Sequence, residues 1–227
     1  MKRYLNRQQA GQLLARELQH YRGRQGVVVL GLPRGGVPVA AEVARALHSR
    51  LDIVVVRKIG VPSHPEVAMG ALAVVSGHIE MVCNENVLDM LGSRRQAEAM
   101  FARAANEELA ELHRREQSYR AARPAVPIAG RVVILVDDGL ATGATMRAAV
   151  AAVQSQLPAR INVAVPVGSR DTCREIEALV DELVCLRLPA PFRSVGQAYQ
   201  DFEQTTDENV RIILGSRQEH GGGQGLE

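Results

Sequence analysis

The stretch that most constrains this chain is Arg131 to Val150, RVVILVDDGLATGATMRAAV. Five apolar residues, Val132 to Val136, run directly into two carboxylates, Asp137 and Asp138. A turn carrying Gly139, Thr142, Gly143 and Thr145 follows, and then an Ala/Val-rich helical pattern. An uninterrupted apolar run bounded by turn residues suits a strand buried on both faces of a parallel sheet. The turn after such a strand lies where open α/β sheets bind ligands. Unpaired N–H groups and the dipole of the next helix favour an anion there. Ala141, Gly143 and Ala144 are small enough to let the backbone approach it, and the hydroxyls of Thr142 and Thr145 can donate to phosphate oxygens. Asp137 and Asp138, one step earlier, can accept from sugar hydroxyls. Phosphate and then sugar is the order of a ribose 5-phosphate.

The rest of the chain supplies more strands and helices. Ala10, Leu14, Leu18 and Tyr21 recur at helical spacing between Asn6 and Arg22, predicting an amphipathic helix against the main body. Val27 to Leu30 reads as a first buried strand, ending in the Pro-Arg-Gly-Gly turn before a helical run to Leu47. In that turn Gly35 and Gly36 permit backbone angles other residues avoid, and Arg34 can reach an anion at the same sheet edge. Asp52 to Ile59, DIVVVRKI, reads as one further buried strand finishing in Arg57-Lys58. Ser76-Gly77 between two β-rich runs predicts a hairpin, and Ser93 to Arg120 a long helix whose Phe101, Ala105, Leu109 and Leu112 form one face and whose charged face is solvated. Strands at Ile161 to Val167 and Glu182 to Leu188 complete the alternation. The expected fold is α/β, a mostly parallel twisted sheet with helices on both faces, an inserted hairpin plus long helix, and a C-terminal hood-like segment. Residues 1–215 read as a single domain with its core at about 27–189 and the hood at 189–214, and 216–227 as a Gly-rich disordered tail whose last Leu226-Glu227 is a cloning remnant.

The apolar run, Asp137-Asp138 and the Ala-Thr-Gly-Ala-Thr turn resemble the phosphoribosyl-pyrophosphate (PRPP) signature of type I phosphoribosyltransferases, in a version especially similar to that of the adenine enzymes. The segment after Leu188 is similar to one in predicted bacterial members of the family whose acceptor is not named. The resemblance implies transfer of a 5-phosphoribosyl group from PRPP to a nitrogen acceptor, a nucleobase by analogy, with release of pyrophosphate. Residues Ala141, Thr142, Gly143, Ala144 and Thr145 would hold the 5-phosphate, and Asp137 and Asp138 the ribose hydroxyls. Arg34, Gly35, Gly36, Arg57 and Lys58 would hold pyrophosphate, together with Mg²⁺ bound mostly through PRPP and only indirectly by the two aspartates. The resemblance further implies weak acceptor-pocket positions at Val167, Gly168, Phe192 and Tyr199, a mobile loop near the hairpin, and a homodimer.

One departure matters. Hypoxanthine-guanine members carry a carboxylate where this chain has Ala141, so proton transfer would come from elsewhere, with Glu66, Glu80 and Glu85 as substitutes, or be unnecessary. A non-catalytic PRPP-binding regulator is the alternative from a different class, and hydrolysis or phosphorolysis of a nucleotide a third. Composition bounds the choice. With 227 residues, 46% hydrophobic and 23% charged, the chain is an ordinary soluble globule, and its net charge of +2 gives no reason to expect nucleic acid or an anionic membrane. Cys83, Cys173 and Cys185 lack metal-ligand spacing and their odd number argues against a disulfide framework, while no signal-peptide pattern follows Met1. A cytoplasmic protein is expected. There is no Walker A string, no G-x-G-x-x-G, no H-E-x-x-H and no nucleophile elbow.

Overall fold

The alternation of apolar strands with amphipathic helices is realised as two sheets. The computed structural model describes residues 2–120 and 123–215 and, of Pro65 and Glu66, the backbone alone; the tail expectation therefore lies outside the described residues. In chain order the first half comprises α1 (Arg7–Glu17), β1 (Val27–Gly31), α2 (Gly36–Leu47), β2 (Arg50–Ile53), β3 (Val55–Val61), β4 (His64–Val75) and β5 (His78–Cys83). The second comprises α3 (Glu85–Leu88), α4 (Arg94–Arg120), β6 (Val132–Val136), α5 (Ala144–Gln154), β7 (Arg160–Val165), α6 (Arg170–Glu177), β8 (Glu182–Cys185) and α7 (Asp207–Gly215).

Five strands form a parallel sheet in the order β2-β1-β6-β7-β8. Strand alternation explains why their sequences are continuously apolar. Val27 and Val29 of β1, with Ile134 and Val136 of β6, face the cluster containing Val39, Val43 and Leu47 of α2. Val28, Leu30, Val133 and Leu135 face the cluster containing Met146, Ala149, Val150 and Val153 of α5. From β1 the chain winds outward to β2, whereas from β6 it winds the other way to β7 and β8. The reversal falls between β1 and β6, so a crevice opens at their carboxyl ends, the position at which such sheets take ligands.

The run Asp52–Ile59 is not one strand. Asp52 and Ile53 belong to β2, Val54 donates its N–H to Gly31 O (3.2 Å), and the chain then leaves for an antiparallel sheet of β3, β4 and β5. An apolar run reports burial and not which sheet a residue joins, so the sequence could not show the break. The hairpin forms as expected, with Ser76 (φ 51°) and Gly77 (φ 80°) both left-handed, as a two-residue turn of the primed kind demands. Its turn is fastened: Ser76 Oγ donates to Val126 O and Gln156 Nε2 to Val75 O, each at 2.8 Å. Gln156 lies just past the far end of α5, roughly 16 Å along the helix from the turn at its start. The Ser76–Gly77 tip is therefore remote from the crevice.

The N-terminal helix begins where Asn6 caps it, its side chain accepting from Gln9 N (3.0 Å), and buries Ala10 and Leu14 against α2, with Leu18 and Tyr21 buried just beyond. Residues 4–5 also pair with 198–201, through Tyr4 N to Ala198 O (2.8 Å) and Gln200 N to Tyr4 O (2.7 Å). The two ends of the chain thus build one cap over the sheet edge, beside the crevice. No helix among the described residues is long and apolar enough to cross a membrane.

Candidate active site

The turn that follows β6 is held from behind. Ala141 O accepts from Thr172 Oγ1 (2.6 Å) and Thr142 O from Arg147 Nη2 (2.9 Å), while Arg147 also binds Glu175 of α6 (2.8 Å). Gly143 sits at φ 73°, where a side chain is strained, and a Cβ there would lie 2.5 Å from Thr172 Cγ2. The first intrahelical bond of α5 runs from Arg147 N to Gly143 O, and the N–H groups of Ala144, Thr145 and Met146 have no acceptor among the described residues. Three free donors and a helix dipole, in a turn whose carbonyls are occupied elsewhere, form an anion cradle. Ala141 and Thr142 are exposed and Thr145 half-buried, so it is open to solvent.

The two aspartates stand at the mouth of this cradle. Asp137 Oδ1 accepts from the Asp138 N–H (2.8 Å). Burial, and then the adjacent Asp138 carboxylate, push Asp137 well above the usual carboxylate range; burial also raises Asp138, opposed by Arg7. The Pro-Arg-Gly-Gly turn from β1 lies directly against them. A Cβ on Gly35 would fall 2.0 Å from Asp138 Oδ2, and one on Gly36 2.8 Å from Asp137 Cα. The reason for glycine here corrects the sequence expectation: Gly35 has φ −63° and ψ −33°, open to any residue, and what is required is space. The Pro33–Arg34 peptide preceding it is cis.

The other expected residues divide. Arg34 belongs to this turn, and its guanidinium reaches Asp207 of α7 at 3.6 Å. Arg57 and Lys58 project from opposite faces of β3; Arg57 is ion-paired with Glu108 of α4, whereas Lys58 is exposed. The Arg57 guanidinium, expected at pyrophosphate, is thus engaged by α4. Val167 is fully buried, and its carbonyl accepts from Leu140 N (2.8 Å). Gly168 is buried where a Cβ would meet Cys173 Sγ at 2.6 Å. Tyr199 is 2% exposed, packed between Tyr4 and Phe202. These three share a cause of burial: the loop after β7 and the C-terminal segment pack on each other, so the side chains of Val167 and Tyr199 are covered. Only Phe192 of the four is partly exposed. Glu80 sits by the remote hairpin turn beside Ser76 and Gln156, Glu85 is paired with Arg94 (2.7 Å), and the Glu66 side chain lies outside the described residues.

Two contributors, Arg7 and Val195, escape the sequence reading, and a third, Tyr199, has contacts other than those expected. Arg7, the first residue of α1, places Nε and Nη2 each 2.8 Å from Asp138 Oδ2. Its Nη1 donates to Glu203 O (2.7 Å), and the guanidinium lies 4.0 Å from the Phe202 ring centroid. Tyr199 donates its hydroxyl to Asp138 O (2.6 Å), and Val195 closes on Gly139, where a Cβ would lie 2.4 Å from Val195 Cγ1. The Asn6 cap is the one readable signal, marking Arg7 as a helix start; nothing local links it to a residue 131 positions on. We expect Tyr199→Phe to raise the KM for the ligand that the two aspartates hold about three- to tenfold, the worth of one hydrogen bond, at near-constant kcat. An unchanged KM in steady-state kinetics would show that this hydroxyl does not position the aspartates.

The chain that carries this aspartate pair, glycine turn and anion cradle has counterparts among known proteins. The family described as "Phosphoribosyl transferase domain" matches residues 2–201. The chain belongs to the phosphoribosyltransferase domain family. Two curated Mycobacterium tuberculosis proteins, from strains CDC 1551 and H37Rv and each provisionally named a phosphoribosyl transferase, are 44% identical over 214 residues, covering 94% of this chain and 47% of theirs. The chain thus spans about half the length of the curated relatives it matches. The crystal structure of TT1426 from Thermus thermophilus is 43% identical with a TM-score of 0.82, covering 93% of this chain and 97% of that one. The family match takes in α1 as well as the sheet.

Proposed function

We propose that this phosphoribosyltransferase-family chain transfers a 5-phosphoribosyl group from PRPP to a nitrogen acceptor, with a nucleobase as the best-fitting class, and releases pyrophosphate. The single observation that carries the reading is the meeting of the Pro33–Gly36 turn and the Asp137–Thr145 turn at the β1/β6 reversal, within contact distance of each other. The bond from ribose C1 to the pyrophosphate oxygen breaks, a bond from C1 to the acceptor nitrogen forms, and the acceptor proton leaves to solvent or to a basic group. Positive charge grows on the ring as the leaving group departs, so the site works by positioning and electrostatics.

The free N–H groups of Ala144, Thr145 and Met146, with the Thr142 and Thr145 hydroxyls, hold the 5-phosphate. Asp137 and Asp138 bind the ribose hydroxyls and offset charge on the ring. Arg34 and the backbone of Gly35–Gly36 face the pyrophosphate, with Lys58 as a further cation. The acceptor enters between the exposed Ala141 and the cap residues Phe192 and Val195; Ala141 supplies no acid or base, so the acceptor sheds its proton without help from that position. Mg²⁺ fits as cofactor in one way. No group of three or more His, Cys, Asp or Glu gathers to hold a metal among the described residues, and an ion bound chiefly by phosphate and water oxygens would need the two aspartates only indirectly. When bound, it neutralises charge on the departing pyrophosphate.

The test is pyrophosphate release from Mg-PRPP across purines, pyrimidines and small amines. Acceptor-dependent release should fall about a thousandfold in kcat/KM in the Asp137→Asn/Asp138→Asn variant. Tight PRPP binding without release for any acceptor would favour a regulator, and no PRPP binding would end both readings.

A further inference from the structure

We infer that Arg7 is a positioning residue that fixes the Asp138 carboxylate so that one oxygen is tied to the cap and the other faces the ribose diol. The inference rests on the transferase reading above and names a residue that reading does not use. Both Arg7 donors converge on the same atom, Asp138 Oδ2, at 2.8 Å each, and no side chain among the described residues donates to Oδ1. The neighbouring Asp137 is divided in the same way: its Oδ1 takes the Asp138 N–H, and no side chain among the described residues donates to Oδ2. The pair therefore keeps one oxygen per carboxylate for outside donors, which matches a vicinal diol offering two O–H groups.

The hold on Arg7 is itself over-determined. Its third nitrogen is fixed by Glu203 O at 2.7 Å, and its flat face lies 4.0 Å from the Phe202 ring centroid, leaving the side chain 12% exposed. Tyr199 grips the same aspartate from its backbone side through Asp138 O. Gly35 leaves room for the arrangement, since any Cβ there would displace both Asp138 Oδ2 and Arg7 Nε, at 2.0 and 3.3 Å. A guanidinium whose three nitrogens are all engaged in orienting a carboxylate and anchoring it to the cap does not itself meet substrate; it sets how well the carboxylate does.

The experiment compares two ligands differing only in the diol: methyl ribofuranoside 5-phosphate and its 2,3-dideoxy counterpart, by calorimetry with wild type, Arg7→Gln, Arg7→Lys and Phe202→Ala. Wild type should prefer the diol ligand by about tenfold or more, the worth of charge-assisted hydrogen bonds. In Arg7→Gln the diol ligand should weaken about tenfold while the dideoxy ligand stays within about twofold, so the preference collapses; Arg7→Lys should recover part of it. Phe202→Ala, at a ring 38% exposed, should move in the same direction by a smaller factor and serves where Arg7→Gln does not fold. Equal losses for both ligands, or no loss for either, would overturn the positioning role and leave the transferase reading intact. A wild type with no preference for the diol would overturn the aspartate assignment and this inference together.

Discussion

Alanine at Gly35 is expected to lower kcat/KM for the proposed PRPP-dependent transfer by at least about a hundredfold while leaving the fold in place. The backbone itself makes no objection, because φ −63° and ψ −33° suit alanine. The objection is spatial: the new methyl carbon would lie 2.0 Å from Asp138 Oδ2 and 2.7 Å from its Cγ, far inside van der Waals contact. One of the two must move. The Pro33–Gly36 turn is fixed by Gly36 N donating to Leu32 O (3.0 Å) and by the start of α2, so the carboxylate is the part that yields, and it leaves Arg7 as it does so. A shift of about 1 Å in a group that positions substrate costs on the order of a hundredfold. Gly215→Ala, with nothing within 4 Å of its added carbon, is the matched control and should be silent. Pyrophosphate release and a thermal melt on both variants decide the matter: activity retained within about threefold in Gly35→Ala would mean that the contact between the two turns is no part of the site.

The same glycine shows what a sequence can and cannot reveal. The position of the cradle is legible because a strand buried on both faces must be apolar throughout, so the point where Val136 gives way to Asp137 marks the sheet edge by composition alone. The turn of Gly143 is legible for a similar local reason. Contacts across the fold are not. Gly35 reads as a residue chosen for unusual angles, when its partner is a carboxylate far along the chain, on Asp138. Arg7 looks like one more charge on an amphipathic helix, and Tyr199 like a ring free to stack on a base. Each takes its role from the way residues 4–5 and 198–201 pair over the crevice, an arrangement between the two ends of the chain that no periodicity encodes. The break at Val54 is the same lesson in the core: β2 and β3 share one apolar vocabulary, and only pairing with β1 or β4 tells them apart.

Replacing Asp52 by alanine should be the most destabilising single change at a polar side chain, by about 3–5 kcal/mol. Asp52 is 4% exposed in its side chain and Arg120 9%. Arg120 Nη1 lies 2.8 and 2.9 Å from the two carboxylate oxygens, which also accept the N–H groups of Ile53 (2.9 Å) and Val126 (2.8 Å). One carboxylate therefore joins β2, the connector leading into β6 and the last residue of α4, the helix that packs on β3 and β4. Part of the charged face of α4, expected to be solvated, is thus buried. Removing the carboxylate leaves the buried Arg120 guanidinium with Glu116 as its one remaining partner and two backbone donors without acceptors, which is why the loss exceeds that of a surface pair. For a domain of this size each kcal/mol lowers Tm by about 2–4 °C, so a fall of roughly 6–20 °C is expected by calorimetry. Asp52→Asn, which keeps an oxygen for one N–H, should lose less. Well below its Tm the Asp52→Ala protein should keep most of the proposed transfer activity, because the ion pair supports the scaffold and touches neither turn of the crevice. A Tm within about 3 °C of wild type would show that this carboxylate contributes little to holding the scaffold together.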